Sequence, residues 1–235
     1  MEVKVFNTIE EASQKALEIF QAALENGADT FGLATGSTPE PLYALMNASD
    51  IDFTNATSIN LEEYYGLACD HSQSYRHFMN ENLFNHKPFK ENFLPDGTNT
   101  DSAAETERYN QIIAEHPIDL QLLGLGTNAH IGFNEPGTDF QGETQLVDLT
   151  PSTIESNKRN FESAEDVPTQ AYSMGIASIM ASKQIVLLAF GEAKAQAVKD
   201  MIEGPVTNEV PASVLQQHSN AIILLDQAAA SLLTK

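Results

Sequence analysis

Four short polar sequences, each following an apolar run, hold the residues best suited to chemistry. The richest is Gly124-Leu125-Gly126-Thr127-Asn128-Ala129-His130-Ile131-Gly132-Phe133-Asn134-Glu135-Pro136-Gly137, with a histidine and a carboxylate five residues apart. Histidine both takes and gives protons near neutral pH. A carboxylate nearby can orient it and stabilise its charged form. The plainer alternative is a hydrogen-bonded histidine in a tight loop. A metal site is disfavoured, because no second His or Cys stands at ligand spacing.

A second sequence, Asn60-Leu61-Glu62-Glu63-Tyr64-Tyr65-Gly66, offers adjacent carboxylates as a candidate general base. Neighbouring residues point in different directions, so only one should face a site; an acidic helix start is the competing reading. The third, Thr35-Gly36-Ser37-Thr38-Pro39, has the parts of a phosphate cradle. Gly36 allows close backbone approach, Ser37 and Thr38 supply hydroxyls, and Pro39 suits a first helical turn. A helix N-terminus there would present free N–H groups to an anion. It lacks the lysine and spacing of a nucleotide-binding Walker loop. The fourth is Gly191-Glu192-Ala193-Lys194, which places Lys194 in a first helical turn, where the helix dipole does not favour a cation. A bound anion would explain it, and Arg159 is a second candidate for the same task.

The elements that must position these residues alternate between short apolar runs and amphipathic stretches, the pattern of a parallel sheet flanked by helices. Strands are predicted at 3–6, 31–34, 57–61, 118–125, 184–190 and 221–225. Helices are predicted at 8–25, 39–47, 73–84, 101–114, 173–182 and 192–202, with a short one near the C-terminus. Ligands in such sheets bind outside the carboxyl ends of the strands, so parallel strands would bring all four sequences to one edge. The segment 126–172 is weakly patterned, and so long an irregular stretch in a compact fold is more often functional than idle. We expect one domain over 1–235, with a lid within 136–172.

Composition narrows the class. The net charge of −21, from 33 acidic and 12 basic residues, would repel a nucleic-acid backbone over most of the surface. No apolar run is long enough to span a membrane. The single cysteine, Cys69, excludes an intramolecular disulfide. The strand-like start, Met1-Glu2-Val3-Lys4-Val5, does not read as a signal peptide. A cytoplasmic protein is expected, with no nucleic-acid or membrane partner.

These motifs, in this order, resemble the glucosamine-6-phosphate deaminase family, from Leu33-Ala34-Thr35-Gly36-Ser37-Thr38-Pro39 to Gly204-Pro205-Val206-Thr207. The most specific stretch is Asn128 to Gly137. The resemblance implies an open, mostly parallel Rossmann-like α/β/α sandwich that needs no metal or organic cofactor. It implies a small-molecule partner, an amino-sugar phosphate, and conversion of glucosamine 6-phosphate and water to fructose 6-phosphate and ammonium. His130 matches the residue that opens the sugar ring, and Glu135 the carboxylate that supports it. Asn128 matches a relay position, and Gly36, Ser37, Thr38, Arg159 and Lys194 match the phosphate site. The chain is expected to be a monomer or small homo-oligomer.

One position departs from the pattern. The family's Asn-Leu/Met-Asp-Glu-Tyr carries an aspartate where this chain has Glu62, the residue assigned to remove the carbon 2 proton. Glutamate is longer by one methylene, and a misplacement of about 1 Å can cost on the order of 100-fold in rate. Two alternatives remain at this stage. A 6-phosphogluconolactonase has a related Gly-His loop, but its histidine is followed by a Ser-Leu-Phe-Pro type sequence rather than Phe133-Asn134-Glu135-Pro136. A sugar-phosphate sensor without chemistry would fit the change at Glu62.

Overall fold

A computed structural model of the chain describes residues 1–158 and 161–234. The chain enters through β1 (Glu2–Phe6) and turns into α1 (Ile9–Glu25), whose start is capped where the Thr8 hydroxyl accepts from the Glu11 N–H. Ala12, Ala16, Leu17, Ile19 and Phe20 recur at helical spacing and are buried, which is why this stretch forms a helix with one covered face. Then come β2 (Thr30–Leu33), α2 (Glu40–Ala48), β3 (Thr57–Asn60) and a short separate strand β4 (Glu62–Tyr64). The helix α3 (Tyr75–Met79) runs on through a π-turn at Asn80–Phe84 to β5 (Glu91–Phe93), α4 (Ser102–Glu115) and β6 (Leu120–Gly124). The rest is β7 (Gln145–Asp148), α5 (Pro151–Asn157), β8 (Gln170–Ser173), α6 (Ile176–Met180), β9 (Gln184–Ala189), α7 (Ala195–Glu203) and β10 (Ala221–Asp226).

Seven strands form one parallel sheet in the order β1-β10-β9-β6-β2-β3-β5. The chain builds outward from β2 through β3 to β5, and outward on the other side from β6 through β9 to β10. The reversal therefore lies between β2 and β6, and such a switch point is where loops diverge and leave a crevice. The central strands are buried along almost their whole length, with Leu122 paired to Val186 and Leu33 to Asn60. Burial on both faces explains why β6 and β9 are nearly continuous apolar runs.

The six predicted strands all appear, with ends that differ by one or two residues: 57–61, 118–125 and 184–190 are trimmed, 3–6 and 221–225 each gain a residue, and 31–34 shifts to 30–33. A second, antiparallel sheet, β4-β8-β7, was not anticipated. Its strands are short and polar, so hydrophobic pattern alone does not mark them. It also trims a predicted helix: residues 170–173 pair as β8, and α6 begins only after Gly175, inside the expected 173–182. The expected helix at 192–202 opens as a 3-10 turn, Glu192–Lys194, before α7. The short helix expected near the C-terminus corresponds to a 3-10 helix at Pro211–Gln217, just before β10, and the chain after β10 forms turns. Among the described residues no helix is long and apolar enough to cross a membrane.

Candidate active site

The four polar sequences follow β2, β3, β6 and β9, and because these strands are parallel their ends meet on one edge. Residues from all four line a cavity of about 630 Å³, including Ser37, Glu62, His130 and Lys194.

The β6 loop is built to present His130. Gly126 and His130 close a tight turn, with the Gly126 N–H donating to the His130 carbonyl at 2.9 Å. The imidazole lies directly over Gly126: a Cβ there would fall 2.4 Å from ring atoms, so only glycine leaves room. Ala129 is held in the left-handed region at φ 64°, a conformation that costs a non-glycine residue roughly 1 kcal/mol. Its carbonyl accepts from the Ala212 N–H at 3.0 Å, a bond that helps hold it there. Further on, the fully buried Asn134 amide donates to the carbonyls of Ile131 and Met174 and ties the loop to the end of β8.

The proton on the ring is placed by its partners. Asn128 Nδ2 donates to Glu135 Oε2 at 2.6 Å, since a carboxylate can only accept. That leaves Asn128 Oδ1 facing His130 Nδ1 at 2.7 Å, so Nδ1 must carry the hydrogen. Nε2 is then the nitrogen available for proton transfer. Glu135 Oε2 also stands 3.3 Å from His130 Nδ1. Burial by itself would raise the Glu135 pKa. The hydrogen bond and charge of His130, with bonds from Thr153 and Asn128, outweigh it and hold the carboxyl at about 2. Glu135 is thus ionised at any physiological pH.

Glu62 has the opposite environment. It is buried, lines the cavity, and its Oε2 has no hydrogen-bond partner. Burial, helped by the negative charge of Glu63, pushes its pKa up to about 8. Glu63 is also buried, but its carboxylate is consumed by backbone: Oε1 accepts from the N–H groups of Tyr64 and Tyr75, and Oε2 from Arg76. The sequence Glu62-Glu63-Tyr64 is therefore a strand, not the acidic helix start that was the competing reading.

At the other side of the cavity, Gly36 takes a positive φ of 92° and Ser37 and Thr38 turn toward α2, with Pro39 as its cap residue. The Tyr43 hydroxyl donates to the Ala34 carbonyl at 2.6 Å and pins the start of this loop. Lys194 reaches across from the β9 loop, and its Nζ donates to the Leu125 carbonyl at 2.6 Å. Arg159 lies outside the described residues. Among the described residues no group of three or more His, Cys, Asp or Glu side chains is placed to hold a metal ion.

Sequence reasoning missed Tyr75, Thr153, Ser156 and Asn157, which also line the cavity. The last three lie on α5, inside a stretch read as irregular. A signal was present: Thr150-Pro151 is a helix cap followed by a proline at the first helical position, and the Thr150 hydroxyl accepts from the Thr153 N–H. Tyr75 carried no such signal.

The chain is similar to known proteins along nearly its whole length. Residues 5–224 match the model of the family described as glucosamine-6-phosphate isomerases/6-phosphogluconolactonase. A glucosamine-6-phosphate deaminase of Lacticaseibacillus paracasei is 59% identical over 235 residues, covering 100% of both chains. One of Streptococcus suis is 58% identical over 231 residues, covering 98% of this chain and 99% of the other. Among solved structures, a monomeric glucosamine-6-phosphate deaminase aligns with a TM-score of 0.95 at 41% identity, covering 99% of this chain and 100% of that one. The 6-phosphogluconolactonase of Leishmania guyanensis aligns at 0.80 and 20% identity, covering 100% and 99%, a likeness of fold alone. With a family model matched over residues 5–224 and full-length relatives at this identity, the chain belongs to the glucosamine-6-phosphate isomerase/6-phosphogluconolactonase family.

Proposed function

We propose that this chain is a glucosamine-6-phosphate deaminase, with His130, Asn128 and Glu135 opening the ring and Glu62 acting at carbon 2. The observation that carries the reading is one cavity holding two unlike acid–base groups. One is an imidazole whose proton-bearing nitrogen is set by its partners; the other is a buried carboxylate oxygen with no partner. Ring opening needs one group that both takes and gives a proton. His130 Nε2 removes the proton of the anomeric hydroxyl and delivers one to the ring oxygen as the bond from carbon 1 to that oxygen breaks. Ionised Glu135 stabilises the imidazolium in between.

Isomerisation then needs a base at carbon 2. A Glu62 pushed up to about 8 is largely protonated in the empty site at neutral pH. The ammonium group on carbon 2 of the substrate brings a positive charge beside it, which favours the ionised form when the substrate binds. Glu62 takes the carbon 2 proton as the carbonyl oxygen on carbon 1 gains one; a proton then returns to carbon 1 as the ammonium group gives one up to leave an iminium, and water adds to that carbon before the nitrogen departs as ammonium. Ser37, Thr38 and the Gly36 backbone, with Lys194 and Arg159, hold the phosphate. In this reading the chain works as one unit, with the α5 part of 136–172 as the cover, in the cytoplasm, as a monomer or small homo-oligomer.

The deciding assay is ammonium release from glucosamine 6-phosphate, with glucosamine as control. Release from the phosphorylated sugar alone is expected. Binding of the sugar phosphate with neither ammonium release nor carbon 2 proton exchange would make the chain a sensor, and hydrolysis of 6-phosphogluconolactone instead would make it a lactonase.

A further inference from the structure

Glu135 has two carboxylate oxygens, and the roles above use only one. Oε2 faces Asn128 and His130. Oε1 accepts instead from two hydroxyls at the start of α5, Thr153 at 2.5 Å and Thr150 at 3.2 Å. These two donors are not equivalent. Thr150 has one hydroxyl proton and three acceptors within reach: Glu135, the Ser152 hydroxyl at 3.0 Å and the Thr153 hydroxyl at 3.1 Å. It also caps α5 by accepting from the Thr153 N–H. The Thr153 hydroxyl gives its proton to Glu135, and the residue is 4% exposed, so water does not readily replace it.

A buried charged oxygen that loses its donor carries a large desolvation penalty and turns to find another. For Glu135, turning the carboxylate would carry Oε2 away from Asn128 and from His130 Nδ1. The order of bonds His130–Asn128–Glu135–Thr153 thus runs from the imidazole in the β6 loop to the first turn of α5. The far end of that helix is also tied down, where Asn157 Nδ2 donates to the Tyr64 hydroxyl at 2.8 Å. The donor is therefore held by a helix anchored at both ends.

We propose that Thr153 is a positioning residue for ring opening, acting through Glu135 by fixing the plane of its carboxylate. The proposal rests on the deaminase reading. Its hydroxyl is also one of the groups that hold Glu135 ionised against burial. If Thr153 served only to pack or start α5, removing its hydroxyl would affect folding, or all steps alike, but not one chemical step.

The test compares two substrates. One is glucosamine 6-phosphate, which must be opened. The other is its analogue lacking the carbon 4 and carbon 5 hydroxyls, which cannot close a five- or six-membered ring. Thr153→Val keeps the shape and removes the hydroxyl, and Thr153→Ala removes it without placing a methyl group against Glu135. Thr153→Ser keeps it. Both hydroxyl-free variants should lower kcat for the cyclic sugar by about 10- to 100-fold, with KM nearly unchanged and little effect on the open analogue. The serine variant should recover to within about threefold of the parent. The proposal is overturned if valine and alanine variants keep the parent rate on the cyclic sugar, or slow both substrates equally. It is likewise overturned if Thr153→Ser is as slow on the cyclic sugar as Thr153→Val. A parent protein that releases no ammonium would instead bring down the deaminase reading, and this inference with it.

Discussion

Glu62 and Glu63 are neighbours on one three-residue strand, and their carboxylates serve opposite ends. Side chains alternate across a strand, so when Glu62 faces the cavity Glu63 must face away, onto the backbone N–H groups that open α3. One carboxylate is left without a partner for chemistry; the other is fully used by structure.

This division gives the first prediction. Glu62→Gln should abolish carbon 2 proton exchange and ammonium release while the sugar phosphate still binds. Glu63→Gln should retain exchange but lose roughly 1–3 kcal/mol of stability, because an amide nitrogen would face a backbone donor. Exchange measured in deuterated water, beside denaturant unfolding of both variants, checks the pair. Loss of exchange in the Glu63 variant alone would reverse the assignment.

Glu62→Asp restores the shorter base that the resemblance implies. Glu62 Oε2 lies 3.3 Å from where a Cβ of Gly132 would stand, so the longer side chain already fits against a residue with no side chain. The aspartate variant should keep carbon 2 exchange, to within about tenfold of the parent if its oxygen still reaches the proton. Complete loss would mean that the pocket is built around glutamate.

The raised pKa of Glu62 has a consequence for stability. The folded value of about 8 lies above the ordinary 4.5, so the fold favours the protonated form. That contribution is complete below pH 4.5 and is lost as pH rises through about 8. Glu62→Gln cannot ionise, and should exceed the parent in stability by roughly a few kcal/mol at pH 9 relative to their difference at pH 6. Thermal unfolding at both pH values measures it, and a difference that does not change with pH would contradict the burial of this carboxyl.

His130→Gln should slow turnover of the cyclic sugar by about 100- to 10,000-fold, the usual worth of general acid–base catalysis, and act much less on an open-chain substrate. Gly126→Ala should mimic it partially without touching the histidine, because the new methyl group would occupy the space of the imidazole. Equal slowing of both substrates would remove His130 from ring opening.

Lys194→Ala should raise KM for the phosphorylated substrate by an amount equivalent to about 1.5–3 kcal/mol, with kcat less affected. An unchanged KM would take Lys194 out of the phosphate site and leave it a structural role, such as its bond to the Leu125 carbonyl.

The parallel sheet was legible in the sequence because its strands are buried on both faces and must be apolar almost without interruption, as in Ile185 to Ala189. The loops were legible too, since polar residues at short spacing come together in one turn, as Asn128, His130 and Glu135 do. What the sequence could not supply was any choice that depends on distant partners. Adjacent glutamates look alike in a string, and only the pairing of Glu62 with Ser173 decides which one turns to the cavity. Thr153 looks like an ordinary residue of a helix start, and only the packing of α5 against the β6 loop puts its hydroxyl on Glu135. Local chemistry is written in local spacing, whereas burial, pKa and the partner of each polar atom are set by chain segments far apart in sequence and exist only once the fold has brought them together.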